Sequence, residues 1–311
     1  MLDYHLHLWP HTERSTPLDL EQIGQYCEQA QSVGVSEIAL TEHLFRFRDA
    51  QALLAGFWRD DRVSEALQES MAEYWEFHAH ADLESYVALA QEAREAGLPV
   101  VIGLEVDFYR GRMDQVAGLL AGYPFDVLLG SVHWIDAWRF DDIDDAVSMA
   151  EWSARRVDDC WEGYTESLEE LAASGACDVL AHPDLIKVAG YVPDAPAEWW
   201  DRMAEAAASS GMAAEVSSAG WHKPVGEQYP ALGLLERFVA RGVPLTTASD
   251  AHHLRRVADH GLELRALLDR VGVTELCAFE ARQPRTVPVA PLPAGAAAGA
   301  SASATTTEGP E

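Results

Sequence analysis

Asp3-Tyr4-His5-Leu6-His7-Leu8-Trp9-Pro10-His11 places three histidines before the first helix can form. In an extended segment side chains alternate between faces, so His5 and His7 point one way while Tyr4, Leu6 and Leu8 point the other. Two imidazoles on one side of a strand can pinch a metal ion. Two histidines two residues apart also arise by accident on an edge strand or as an expression remnant. Here the apolar residues between them have strand character and a helix start follows, which argues against a remnant. The stretch decides the fold because partners for it recur at comparable places further along.

Working outward, residues 18–33 set Leu20, Ile23, Tyr26, Cys27 and Ala30 at three-to-four spacing and stop at Gly34, an amphipathic helix. Residues 35–41 (V-S-E-I-A-L-T) then read as a short strand ending at Glu42-His43. A helix at 82–96, closed by Gly97 and Pro99, leads to the apolar run 100–104 and to Glu105. A short helix at 113–121 precedes a strand at 126–132 that delivers His133. A single helix over 144–174, with Trp152, Val157, Trp161, Tyr164, Leu168 and Leu171 as its apolar face, precedes a strand at 178–181 that delivers His182-Pro183-Asp184. Next come a helix at 197–210, a strand at 213–217 and a loop at 218–224. A helix at 232–240 and a strand at 243–248 run into Ser249-Asp250-Ala251-His252. A last helix (262–268) and a short strand (275–281) close the domain near Pro288.

Residues 44–80 break this rhythm, with Phe45, Phe47, Phe57, Trp58, Trp75 and Phe77 set among charges without a clean period. An aromatic-rich insertion of this kind is expected to form a lid or packing cap at the rim. His78 and His80, with no strand beside them, are expected to face solvent or to sit at a helix N-terminus. Residues 291–311, dominated by Ala, Gly, Ser, Thr and Pro, are expected to be a disordered tail that cannot bury enough surface to offset its chain entropy.

About seven strand and helix pairs in alternation imply a parallel sheet, and at 311 residues closure into one α/β barrel over residues 1–290 is the expected solution. A hydrophobic content of 48% supplies one large core, and a net charge of −29 argues against nucleic acid or an anionic membrane as partner. An anionic small substrate must therefore be drawn in by something local. Cys27, Cys160, Cys177 and Cys277 include no C-x-x-C pair and read as free buried thiols of a reducing compartment. The N-terminus leaves no room for a signal core, and no apolar run approaches membrane-spanning length, so a cytoplasmic location is expected.

In parallel barrels the chemistry collects at the C-terminal ends of the strands. His5, His7, Glu42, His43, Glu105, His133, His182, Asp250 and His252 all fall there. A single buried histidine is satisfied by one hydrogen bond, but this many imidazoles and carboxylates on one rim would leave polar groups unpaired unless divalent metals engage them. Nitrogen and oxygen donors without a thiolate, too many for one tetrahedral zinc, suit a multinuclear cluster of Zn, Mn or Fe.

The motifs D-x-H-x-H (3–7) with nearby His11, T-E-H (41–43), G-x-E (103–105), S-V-H (131–133), A-H-P-D (181–184) and S-D-A-H (249–252) occur in an order that resembles the PHP (polymerase and histidinol phosphatase) family, over nearly all of residues 1–290. The resemblance implies a distorted (β/α)7 TIM-like barrel holding three divalent metals. His5, His7, Glu105 and Asp250 would bind the first; Glu105, as a bridge, with His133 and His182 the second; His11, His43 and His252 the third. Glu42 is not among these ligands and is expected as a rim carboxylate. The implied reaction is phosphomonoester hydrolysis. Three divalent ions against two carboxylates leave about +4 in the pocket, and a metal-bridging hydroxide would attack phosphorus in line.

Residues 184–187 (D-L-I-K), 215–224 (E-V-S-S-A-G-W-H-K-P) and 226–230 (G-E-Q-Y-P) are similar to the histidinol-phosphatase branch, which implies conversion of L-histidinol phosphate and water to L-histidinol and phosphate. That branch would usually carry an arginine where His222 stands, and imidazole is not a permanent bidentate phosphate clamp. Lys187, His222, Lys223 and Arg46 are the expected substrate contacts, with Arg139 a further candidate, and the bland alternative for each cation is ordinary surface charge. Two other readings stay open: a PHP phosphoesterase acting on a nucleotide or sugar phosphate, and a non-catalytic metal-binding module.

Overall fold

Strands covered on both faces read as apolar runs rather than as alternations. The computed structural model, which describes residues 1–60 and 62–289, forms seven of them: β1 (Leu2–Leu6), β2 (Glu37–Leu40), β3 (Val100–Asp107), β4 (Val127–Ser131), β5 (Val179–Leu180), β6 (Ala213–Ser217) and β7 (Leu245–Ala248). Apart from Glu37, every residue in them is buried. They pair in parallel in the order β1-β2-β3-β4-β5-β6-β7. The ring nearly closes where the segment after β7 returns to β1: Asp250 N donates to His5 O (2.8 Å) and His7 N to Ala251 O (2.7 Å). Seven parallel strands in a nearly closed barrel thus match the expected architecture.

Around the barrel run α1 (Leu20–Ser32), α2 (Arg48–Leu54), α3 (Glu65–His78), α4 (Leu83–Glu95), α5 (Met113–Leu120), α6 (Ala146–Ala154), α7 (Val157–Ser174), α8 (Ala197–Ser210), α9 (Leu232–Ala240) and α10 (Gly261–Arg270). Their starts are chemically marked: Asp19, Asp82 and Asp145 accept from the amides of Gln22, Ser85 and Ser148 at 2.9, 2.8 and 2.9 Å. Among the described residues no helix is long and apolar enough to cross a membrane.

The single helix expected over 144–174 is two, α6 and α7, separated by extended backbone at Arg155 and Arg156. The apolar face steps by five residues from Trp152 to Val157, off the helical period, and Trp152 is held by its indole donating to Phe140 O (3.0 Å). The strand expected at 275–281 is β8 (Glu275–Glu280), but it pairs antiparallel with β9 (Gln283–Pro288) in a hairpin outside the barrel ring. Its tip, Ala281 and Arg282, lies at positive φ (48° and 62°). The tip docks at the N-terminal ends of β4 and β5, where Asp126 Oδ1 accepts from Ala281 N (3.0 Å) and Asp178 Oδ2 from Arg282 Nε (2.9 Å).

The aromatic-rich segment folds into a 3₁₀ turn (Leu44–Arg46), α2 and α3, burying Phe45, Phe47, Trp58 and Trp75. His80 is exposed as expected, but His78 is buried in the last turn of α3, 5.6 Å from Phe45 between ring centroids. The four cysteines are free and buried. The expected tail, 291–311, lies outside the described residues.

Candidate metal centre

The mouth of the barrel is organised around Glu105, near the end of β3. Two residues earlier, a Cβ at Gly103 would meet Thr41 Cγ2 at 2.9 Å and Leu40 O at 3.1 Å, so glycine lets β2 approach β3 closely there. Glu105 Oε2 lies 3.3 Å from His5 Nε2, 3.5 Å from His7 Nε2 and 2.6 Å from His43 Nδ1. Glu105 Oε1 turns the other way, 3.1 Å from His182 Nε2 and 3.3 Å from His133 Nε2. One carboxylate therefore faces two sets of imidazoles. Asp250 Oδ1 closes the first set, 3.4 Å from His7 Nε2 and 3.7 Å from His5 Nε2.

Donor atoms within 4.8 Å of one another group as His5, Glu105, His182; His5, His7, Asp250; His7, His43, His252; and His43, Asp107, His133. The ring of His11 stands 5.3 Å from His252 and 5.8 Å from His43, at the same mouth but outside these groups. His7 instead stacks between His43 and His252, at 4.3 and 4.1 Å. His182 and Asp250 sit at positive φ, 27° and 53°. Such non-glycine strain persists where the surroundings over-determine it, as at functional sites.

Three carboxylates behind the imidazoles fix their directions. His133 Nδ1 lies 2.6 Å from Asp107 Oδ1, and His5 Nδ1 lies 2.8 Å from Glu215 Oε2. Glu42 accepts from the amides of Leu8 and Trp9 and stands 3.6 Å from His7 Nδ1. Sequence reasoning missed Asp107 and Glu215. Period-two alternation was the available signal for Asp107, which shares a strand face with Glu105.

Without metal the charges are strained. Burial would depress the His5 imidazole, yet the carboxylates of Glu215, Glu105 and Asp250 hold it well above its usual range. Against the same burial, Glu105 and Asp107 push His133 up to about 10. Burial raises Asp107 to about 6 despite its contact with His133. For Glu105 burial is overcome by His43, His5 and His133, which keep its carboxyl well below the carboxylate range. Burial leaves His43 and His252 well below the imidazole range.

The donor set fits divalent ions. His5 Nε2, both ring nitrogens of His7 and of His43, Glu105 Oε2, His182 Nδ1 and His252 Nε2 are buried without a hydrogen-bond partner among the described residues. Several lie within ion-pair distance of a carboxylate oxygen without hydrogen-bond alignment, as expected of donors aimed at a common centre.

Above them opens a cavity of ≈ 300 Å³, a size that suits a small ligand. His222 and Lys223 line it, but Lys187 and Arg46 do not. Lys187 is buried, its Nζ held by Glu227 Oε2 (2.7 Å), Gln228 O (2.8 Å) and Asp184 Oδ2 (3.0 Å). Arg46 is buried too, donating to Glu13 O (2.9 Å) and Pro10 O (2.8 Å) and so bracing the His11 loop. Both cations serve the framework and stand outside the cavity wall, away from where they were expected to meet substrate. Arg139 is paired with Asp142 and borders a side void of ≈ 10 Å³ rather than lining the main cavity. Arg256, not singled out from sequence, lines the main cavity with Nη1 2.8 Å from His222 and 3.0 Å from Asp259. It brings a guanidinium to the wall where His222 stands.

A parallel barrel whose mouth gathers imidazoles around one shared carboxylate defines an α/β-barrel protein with a site that could hold metal ions. The PHP domain matches over residues 5–219, and the chain belongs to that family. It is 31% identical over 257 residues to a protein of Deinococcus radiodurans named probable histidinol-phosphatase, a match covering 81% of this chain and 86% of the other. A probable histidinol-phosphatase of Schizosaccharomyces pombe is 25% identical over 193 residues, covering 58% of this chain and 62% of that one. In fold it resembles the crystal structure of histidinol phosphate phosphatase from Lactococcus lactis complexed with zinc, L-histidinol and phosphate, with a TM-score of 0.63 at 18% identity, covering 91% of this chain and 98% of the other.

Proposed function

We propose that the chain is a metal-dependent phosphomonoester hydrolase that converts L-histidinol phosphate and water to L-histidinol and phosphate. The observation that carries this reading is the division of Glu105, one oxygen toward His5 and His7 and the other toward His133 and His182. On this reading His5, His7, Glu105 and Asp250 hold one divalent ion, Glu105, His133 and His182 a second, and His43 and His252 with His11 a third. Zn, Mn or Fe bound there would polarise a phosphoryl oxygen and lower the pKa of water.

The chain's own residues account for the rest. Glu42, Asp107 and Glu215 keep the imidazoles turned inward. Lys223 and the His222–Arg256 pair present donors to phosphate from one wall of the cavity. An oxygen of water bonds to phosphorus as the ester P–O bond breaks, and the alcohol leaves with a proton. Arg256 also brings a guanidinium to the wall where the histidinol-phosphatase branch would carry an arginine at position 222. Residues 1–290 act as one catalytic domain capped by 44–80, and the free buried thiols support a reducing, cytoplasmic setting.

The test is phosphate release from a panel of phosphomonoesters by protein of measured metal content. Histidinol phosphate is expected to show the highest kcat/KM. Preference for a nucleotide or sugar phosphate would replace the substrate, and no release from fully loaded protein would remove the enzymatic reading.

A further inference from the structure

The walls of the main cavity carry opposite signs. Lys223 and Arg256 come from the loops after β6 and β7, whereas Asp141, Asp142 and Asp144 come from the loop after β4. The acids differ in what engages them. Asp142 pairs with Arg139, and Asp259 with Arg256 and His222. Asp250 faces His5 and His7, and Asp144 is exposed. Asp141 stands apart: it is half-buried, and among the described residues no hydrogen bond or ion pair engages its carboxylate. It borders both the main cavity and the side void walled by Phe45, Tyr74 and Trp134. That void, ≈ 10 Å³, has room for about one water and none for a ligand group, so a charged partner for Asp141 must come from the main cavity.

A partly desolvated carboxylate without a cation is costly, and burial pushes the Asp141 carboxyl above its usual range against the pull of His133 and Lys223. A ligand cation would supply the missing partner through a charge-assisted hydrogen bond. We infer that Asp141 is the residue that reads the positive charge of the leaving group, so that its carboxylate sets the preference for cationic over neutral leaving groups. Phosphate then lies toward the metal centre and the Lys223–Arg256 wall, and the cationic end toward the loop after β4. Sugar phosphates and nucleotides have no such cation to place there. The inference rests on the phosphatase reading above and concerns only the part of the substrate that leaves.

Asp141→Asn keeps the size of the side chain and removes its charge. The readout is kcat/KM for histidinol phosphate and for p-nitrophenyl phosphate, whose leaving group carries no cation, on metal-loaded protein of measured metal content. The ratio of the two is expected to fall about tenfold or more, mainly through KM for histidinol phosphate, and Asp141→Glu is expected to recover part of it. An unchanged ratio, or a loss of bound metal that accounts for the fall, overturns the role given to Asp141 and leaves the phosphatase reading standing. Wild-type protein that cleaves p-nitrophenyl phosphate but not histidinol phosphate overturns the proposed substrate, and this inference with it.

Discussion

The two ends of the barrel treat their polar groups in opposite ways. At the base, where the strands begin, Arg282 donates to both oxygens of Asp178 (3.0 and 2.9 Å) and to Ala176 O (2.8 Å), while Asp126 accepts from the amides of Ile102 and Ala281 (both 3.0 Å). At the mouth, His7 and His43 each leave both ring nitrogens unpartnered, and Glu105 Oε2 has no hydrogen bond although three imidazoles crowd it. Buried polar groups in native proteins are nearly always satisfied, so a concentrated exception needs a reason. Asp126 and Asp178 at the base find their partners within the chain. The mouth offers unpartnered donors that cationic ligands could engage.

Substitutions at the two ends should therefore fail differently. The largest effect is expected from Glu105→Gln, which removes the charge shared by both imidazole sets. Bound metal should fall and kcat drop by about 10³-fold or more, as for loss of a group that stabilises developing charge. Metal analysis alongside kinetics checks this, and full metal content would break the contrast between the ends. Next come Asp107→Asn and Glu215→Gln, which leave the inward donors in place but loosen their aim. Metal affinity should fall about 10–100-fold, with activity recovered by excess metal; affinity equal to wild type would deny these carboxylates an orienting role.

A pH effect should also belong to the mouth. His133 is held up to about 10 in the metal-free protein by Glu105 and Asp107 against burial, above an unfolded value near 6.5. Its proton thus contributes stability that is fully present below pH 6.5 and is lost as the pH rises through about 10. A metal takes that proton's place, so loading near neutral pH should release protons. Titrating metal into weakly buffered apoprotein should acidify it, and a flat pH trace would contradict the assignment. The smallest functional effect is expected at the base. Arg282→Ala should lower stability by only about 0.5–1.5 kcal/mol through the lost contacts to Asp178, which keeps its bond from Leu128 N, with kcat and metal content per folded molecule unchanged.

What could be read from the chain follows the same division. The β/α alternation marks each strand's carboxyl end, and ligand-type residues standing there reveal the mouth before any coordinates. The residues behind them are harder. Asp107 and Glu215 lie inside strands whose apolar neighbours drew attention, and β3 extends two residues past the expected end at Glu105. Arg46 and Lys187 look like free cations because their partners, the carbonyls of Pro10 and Glu13 and the groups at 227 and 228, are apposed only by folding. The base was least legible, since the β8–β9 hairpin turns on Ala281-Arg282 without the glycine or asparagine that normally signals such a turn. His78 departs from the exposed position expected of it because burial in α3 comes from packing against the rim aromatics, which no local spacing reports.

The most direct test is anomalous diffraction from crystals of the metal-loaded chain. The account predicts ions on both sides of the Glu105 carboxylate, one shared with His5, His7 and Asp250 and another with His133 and His182. Density for metal that leaves Glu105 untouched, or ions confined to one side of it, would contradict the account.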